Sequence, residues 1–456
     1  MIGIVGNISA DPHLAPDFGL TAASPAIDAG HDNPLQPVLG PTDANGATRE
    51  VDGDGDGIAT VDLGAYEWPG TGLQANVRSP AHYHPLPPRR ILDTRQGLGV
   101  PGRLGPGGTA SLQVTGQGGV PATGVSAVVL NLTATEPTAG SFLTVWPAGE
   151  ARPTASNLND TPGRTVANLV TVRVGTGGRV NLYNYAGTVH VVADVAGWYG
   201  ENGALTGTTF TPGAPMRVLD TRAAIGAPMM RVGPDQTVDL QLTGEAGVPA
   251  SGVSAVVVNV TITEADGGGF LTVWPGDEAR PLVSNLNYGP GDTVANLVVV
   301  KVGASGSIKL YNSSGSTHVI ADMAGWFGAG TEGSAGTYNA VNPTRLLDTR
   351  SGLGAPKAPV GPRGTISFQV AGRAGLPAGA VSAVVLNVTV TEPTAVSFLT
   401  ASGGGARPTA SNLNVVPGQT VANLVVVQVS ADGKVYLYNN AGTAHVIADV
   451  AGWFRA

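Results

Sequence analysis

The chain has no cysteine. That excludes disulfide staples, zinc–thiolate sites, iron–sulfur clusters and a cysteine nucleophile. Charge is scarce as well. Only 12% of the 456 residues are Asp, Glu, Lys or Arg, about half the usual share. Four of the 24 basic residues are lysines, and the net charge is -8. No basic stretch stands out, so electrostatic nucleic-acid binding is not expected. No run of about 18 or more apolar residues occurs, so no membrane-spanning helix is expected. Residues 1–10 carry neither a positive n-region nor a long apolar h-region and do not read as a signal peptide.

What the chain has in excess is glycine and proline, 67 and 34 residues. Its apolar fraction of 42% is rich in Val, Leu and Ala. That is enough to bury a core and argues against disorder. At about 150 residues per domain, the length suggests roughly three domains. Low charge with abundant Gly, Val, Thr and Asn points to strands and tight turns, and so to an all-β protein.

Self-comparison divides the chain. Leu-Asp-Thr-Arg occurs at 92–95, 219–222 and 347–350. Ser-Asn-Leu-Asn occurs at 156–159, 284–287 and 411–414. Thr-Val-Ala-Asn-Leu-Val occurs at 165–170, 293–298 and 420–425. A His-Val-(Val/Ile)-Ala-Asp-(Val/Met)-Ala-Gly-Trp-(Tyr/Phe) string closes each copy at 190–199, 318–327 and 445–454. Tyr83, Phe210 or Tyr338 stands nine residues before the Leu of each first string. Three units follow, 82–199, 209–327 and 337–454, with linkers at 71–81, 200–208 and 328–336. A unit of this length is a whole domain rather than a solenoid repeat.

Turn signals such as Gly107-Gly108, Pro162-Gly163 and Ala186-Gly187 separate eight expected strands in the first unit. These are 90–94, 109–115, 126–135, 142–146, 156–159, 166–174, 180–183 and 190–195. Residues 125–133 start apolar on both faces and read as a central strand. The expected architecture is three tandem antiparallel β-sandwich, jelly-roll-like domains with almost no helix. Short linkers between whole domains suggest an extended row.

The Leu-Asp-Thr-Arg start, the Ala-Val-Val-Leu-Asn strand, the Phe-Leu-Thr-Val-Trp-Pro strand, the Ser-Asn-Leu-Asn turn and the closing string together resemble one known domain. It recurs in tandem in secreted and surface proteins of actinobacteria and some other bacteria. The resemblance covers all three units and implies an extracellular or cell-surface accessory domain with no defined catalytic role. The third unit departs from the pattern. It reads Phe398-Leu399-Thr400-Ala401-Ser402-Gly403, so the Trp-Pro of 146–147 and 274–275 is missing.

Residues 1–70 differ. Ser24-Pro25-Ala26-Ile27-Asp28-Ala29-Gly30, the Asp-Gly run at 52–57 and Val61-Asp62-Leu63-Gly64-Ala65-Tyr66-Glu67 resemble the C-terminal end of a choice-of-anchor Q right-handed β-helix. A β-helix end cannot bury its apolar face alone. Upstream sequence, or docking on a neighbouring chain, is the expectation. Asp52, Asp54 and Asp56 alternate with glycine, as carboxylates do in a loop around one hard cation. Asp62 stands one place before the usual closing acid. The reading is a Ca2+ site, and its alternative is a solvated acidic turn.

Other candidates repeat with the units. Asp93/Arg95, Asp220/Arg222 and Asp348/Arg350 are spaced to pair along a strand, as fold-specifying ion pairs or as polar ligand sites. The His–Asp pairs at 190/194, 318/322 and 445/449 lie about 13 Å apart on an extended strand, too far for a catalytic dyad. Trp198, Trp326 and Trp453 are expected to plug the sandwiches. Trp146 and Trp274 precede proline and are expected at a loop mouth. There, with Asn157, Asn159, Asn285 and Asn287, they could contact a sugar. The alternative for the asparagines is a turn whose side chains bond backbone. No set of acid, base and nucleophile is found. The expected function is a non-catalytic extracellular structural or adhesive protein that self-associates head-to-tail into a surface fibre. The runner-up is a carbohydrate-binding array that takes a surface glycan.

Overall fold

The computed structural model describes residues 50–51, 60–61, 81–200, 207–329 and 335–456. The chain forms two bodies, Met1–Arg78 and Ser79–Ala456. In the first, strands β1 (Glu50–Val51) and β2 (Thr60–Val61) pair antiparallel. The rest of the expected β-helix end lies outside the described residues, and so do Asp52, Asp54, Asp56 and Asp62.

The second body is built from three eight-stranded units. The first holds β3 (His82–Asp93), β4 (Thr109–Gln113), β5 (Val125–Thr135), β6 (Ser141–Pro147), β7 (Leu158–Asp160), β8 (Val166–Arg173), β9 (Arg179–Asn184) and β10 (His190–Gly200). The second holds β11 (Thr208–Asp220), β12 (Gln236–Gln241), β13 (Val253–Thr263), β14 (Gly269–Pro275), β15 (Leu286–Tyr288), β16 (Val294–Lys301), β17 (Ser307–Asn312) and β18 (His318–Ala329). The third holds β19 (Tyr338–Asp348), β20 (Thr365–Gln369), β21 (Val381–Thr391), β22 (Ser397–Ser402), β23 (Leu413–Val415), β24 (Val421–Gln428), β25 (Lys434–Asn439) and β26 (His445–Arg455). The only helical turn among the described residues is a 3-10 turn at Thr176–Gly178. The strands expected in the first unit are found, with β3 and β10 longer than expected.

Each unit is a sandwich of two antiparallel four-stranded sheets. In the first unit the orders are β3-β10-β5-β8 and β4-β9-β6-β7. The first strand pairs with the last, and the chain crosses between the sheets at every connection except the β6–β7 hairpin, which is jelly-roll connectivity. The sequence dictates the layering by alternation. Val128, Leu130 and Leu132 of β5 face Leu143 and Val145 of β6 and Leu182 of β9 across the core. Trp198 closes this core and stacks on His84, with ring centroids 3.8 Å apart.

The opposite face of β5 is buried too, and this corrects the expectation of an extended row. Ala127 and Val129 point away from their own sandwich into a cluster shared by all three units. Six aromatic rings form its hub in a cyclic order. Tyr83 packs on Phe327 at 4.3 Å, Phe210 on Phe454 at 4.4 Å, and Tyr338 on Tyr199 at 4.1 Å. Each pair joins the first strand of one unit to the last strand of another. The backbone follows: Thr208 pairs with Tyr83, and Ala81 with Tyr338. An apolar outer face on the β3-β10-β5-β8 sheet and its counterparts, and connections too short to separate the units, drive them around one pseudo-threefold axis.

Candidate functional site

Beyond the hub, the axis is crossed by buried asparagines. At the interface of units one and two, the Asn296 amide donates to Asn131 Oδ1 (2.9 Å), the Leu169 N–H donates to Asn296 Oδ1 (3.1 Å), and the Asn131 amide donates to the Ser284 carbonyl (2.7 Å). Asn423, Leu297, Asn259 and Ser411 repeat this between units two and three. Asn168, Leu424, Asn387 and Ser156 repeat it between units three and one. The circuit therefore closes. Asn168, Asn296 and Asn423 are each 1% exposed, so each bond lies in a medium where a missing partner is costly.

This geometry gives several recurring strings a structural role. In Ser-Asn-Leu-Asn, the backbone carbonyls of Ser156 and Asn157 receive the amides of Asn387 and Asn168. Asn157 and Asn285 are buried, and their Oδ1 atoms accept the Val145 and Val273 N–H groups at 2.7 Å. Asn159 and Asn287 are placed differently. They line a cavity of about 490 Å³ on the axis, with Asn414, Thr165, Thr293 and Thr420.

In Leu-Asp-Thr-Arg, the carboxylate accepts the backbone N–H and the guanidinium of the Arg two residues on. Asp93 with Arg95, Asp220 with Arg222 and Asp348 with Arg350 all do so. The pair forms across the turn that follows the strand, not along a strand face. Hydrogen bonds from these arginines hold all three carboxyls below the usual range, Asp220 down to about 2.

The partner of the closing-string aspartates was not read from the sequence. Arg90 lies directly opposite Asp194 and donates to both its oxygens. Arg217 does the same to Asp322, and Arg345 to Asp449. Burial pushes these carboxyls up, and the arginines oppose it. His190, His318 and His445 instead bond the Thr hydroxyls of the Leu-Asp-Thr-Arg strings at 2.9 Å. Neither member of the His–Asp pairs faces the other.

Trp146 and Trp274 are both 4% exposed. Residues 148–157 fold back over the outer face of β6. Trp146 Nε1 donates to the Glu150 carbonyl, and Trp274 Nε1 to that of Glu278, each at 3.0 Å. The expectation of a sugar-stacking ring at a loop mouth is corrected: neither indole presents a face to solvent. The same loop lays Arg152 over Tyr183 at 3.5 Å, and its counterparts lay Arg280 over Tyr311 and Arg407 over Tyr438.

A cleft of about 350 Å³ opens between units one and two. Arg90, Arg95 and Thr133 line one wall, and Phe270, Arg280 and Asn287 the other. Among the described residues, no group of three or more His, Asp or Glu is placed to hold a metal ion. No described helix is long and apolar enough to cross a membrane.

One buried acid belongs to a single unit. Asp160 ends β7, where the other units have Tyr288 and Val415. It is 4% exposed, with no side-chain partner for its carboxylate and only the Ser141 and Asp160 backbone N–H groups close enough to oppose the effect of burial. Burial pushes the carboxyl up to about 6. The folded state thus keeps its proton longer than the unfolded chain. That stabilisation is complete below about pH 4 and is lost as pH rises through about 6. Asp160→Asn is therefore expected to stabilise the protein by about 2 kcal/mol at pH 8 and to change little at pH 4. Urea denaturation at the two pH values checks this, and an equal effect at both contradicts it.

No family model and no curated protein matches the chain. Among solved structures, it is similar to one described as "Life in the extremes: atomic structure of Sulfolobus Turreted Icosahedral Virus". That match has 9% identity and a TM-score of 0.17, covering 76% of this chain and 85% of that one. A second, described as "The Triple Jelly Roll Fold and Turret Assembly in an Archaeal Virus", has 9% identity and a TM-score of 0.16, covering 81% and 95%. At these scores neither likeness bears on arrangement or function.

Proposed function

We propose that the chain is a non-catalytic extracellular structural or adhesive protein whose three sandwiches act as one head. The observation that carries this reading is the closed asparagine circuit. It makes a single body whose strand ends at the linkers and at the C-terminus all gather at the aromatic hub. The cleft and the axial cavity are lined from the opposite ends of β5 and β8. Such a body is held at one end and presents the other. The extracellular placement rests on the resemblance of the three units to secreted tandem domains. Self-association into a fibre is the polymeric form of the same reading, with contacts made through the N-terminal segment. Calcium at Asp52, Asp54, Asp56 and Asp62 would be a structural rather than a catalytic ion. Heat of Ca2+ binding that disappears in Asp54→Ala is the expected calorimetric result.

Incubation of the full chain with insoluble cell-wall and plant polysaccharides tests the main claim. Saturable adsorption without new reducing ends is expected. Released sugar, or no adsorption to any surface, contradicts it.

A further inference from the structure

The cleft between units one and two has features that the fold does not use. Thr133 is 4% exposed, and its buried hydroxyl has no hydrogen-bond partner. Thr261 and Thr389, its counterparts, are in the same state. A buried unpartnered hydroxyl is costly unless something else satisfies it. Arg280 also lines the cleft. Its guanidinium is stacked 3.6 Å from the Tyr311 ring centroid and makes no hydrogen bond to protein. Stacking fixes its plane and leaves its N–H edges free, which is how a guanidinium is pre-organised for a carboxylate.

The cleft is open at one of three equivalent places. Arg217 Nη2 reaches across to the Thr409 carbonyl at 3.1 Å, and Arg345 Nη2 to the Thr154 carbonyl at 3.2 Å. Arg90 bonds only Asp194 and Asp93. The remaining walls offer Thr135, Thr165, Ser284 and Asn287 beside the half-exposed ring of Phe270. Hydroxyl and amide groups next to an aromatic face suit a sugar better than a peptide side chain.

We propose that this cleft binds an acidic saccharide, its carboxylate at the guanidinium edges of Arg280 and Arg95 and a ring hydroxyl at Thr133 Oγ1. The proposal rests on the reading of the chain as a presenting head, and names the chemistry of what the head takes. It places the glycan site away from both buried tryptophans.

Titration calorimetry of the full chain with tri-galacturonate tests it. Binding is expected, and esterifying the carboxylates to methyl esters should weaken it about tenfold or more. Arg280→Gln should do the same, and Thr133→Val should weaken it about fivefold. Arg407→Gln, at the equivalent place in a cleft spanned by Arg217, should leave affinity unchanged. Arg280 is exposed, so its replacement leaves the core intact, and an unchanged melting temperature confirms that. The proposal is overturned by absence of binding, by equal affinity for the methyl ester, by equal affinity for an acidic peptide of the same charge, or by an equal loss in Arg407→Gln. Adsorption of the chain to a neutral polysaccharide without tri-galacturonate binding would overturn this proposal and leave the head reading standing. Tri-galacturonate binding without adsorption to any surface would do the reverse.

Discussion

Asn296→Ala is expected to destabilise the chain by about 4 kcal/mol, although it removes no apolar packing. The Asn296 side chain bonds Asn131 Oδ1, the Asn285 carbonyl and the Leu169 N–H, two of them in a neighbouring unit. Alanine leaves all three groups buried. Each orphaned polar group costs about 1–3 kcal/mol, and Asn296 is 1% exposed. Asn287→Ala is the control. Its amide makes one long contact, to Ser284 Oγ at 3.5 Å, and its loss should cost under about 0.5 kcal/mol. Denaturant unfolding of the two variants checks the contrast. Similar costs would show that the asparagine circuit is not a special source of stability.

The second large effect is at the hub. Gly197→Ala would place a Cβ 2.3 Å from Tyr83 Oη and 2.5 Å from its Cζ. Tyr83 cannot swing away. It is fully buried, bonded to the Ala196 carbonyl, and wedged between Tyr199 and Phe327. Overpacking of this kind costs about 3 kcal/mol, and here it would strain two units at once. In a Tyr83→Leu background the ring is gone, so Gly197→Ala should cost at least about 1 kcal/mol less. A double-mutant cycle measures this coupling, and an additive result would show that the strain is not borne by Tyr83.

The sandwiches were legible because turns and alternation are local. Glycine and proline pairs mark the strand ends, and β5 to β10 fall between them, although only β7 and β9 show period-2 burial. The ring of units was less legible, because its contacts join residues more than a hundred positions apart. Two signals pointed to it. The strand at 125–133 is apolar on both faces, which a sheet with one solvated face does not need. An asparagine also sits amid apolar neighbours in Val-Ala-Asn-Leu-Val, a costly residue there unless its amide is satisfied across an interface. Trp146 misled for a local reason. Proline after it suggested a loop mouth, whereas the loop folds back and covers the indole. The Asp93–Arg95 pair was rightly paired, but the turn at Thr94, not the strand pleat, brings its members together. The Arg90–Asp194 pair joins the two ends of the unit, so spacing alone could not reveal it.

The central claim is that three sandwiches fold and melt as one body. Scanning calorimetry of the full chain carrying Asn296→Ala tests it most directly. The account predicts that the transition of residues 79–456 stays single and moves down as a whole, because a fault in one interface is felt by all three units. A scan in which one part of the heat moves down while the rest melts at the unaltered temperature would show three independent domains, and would contradict it.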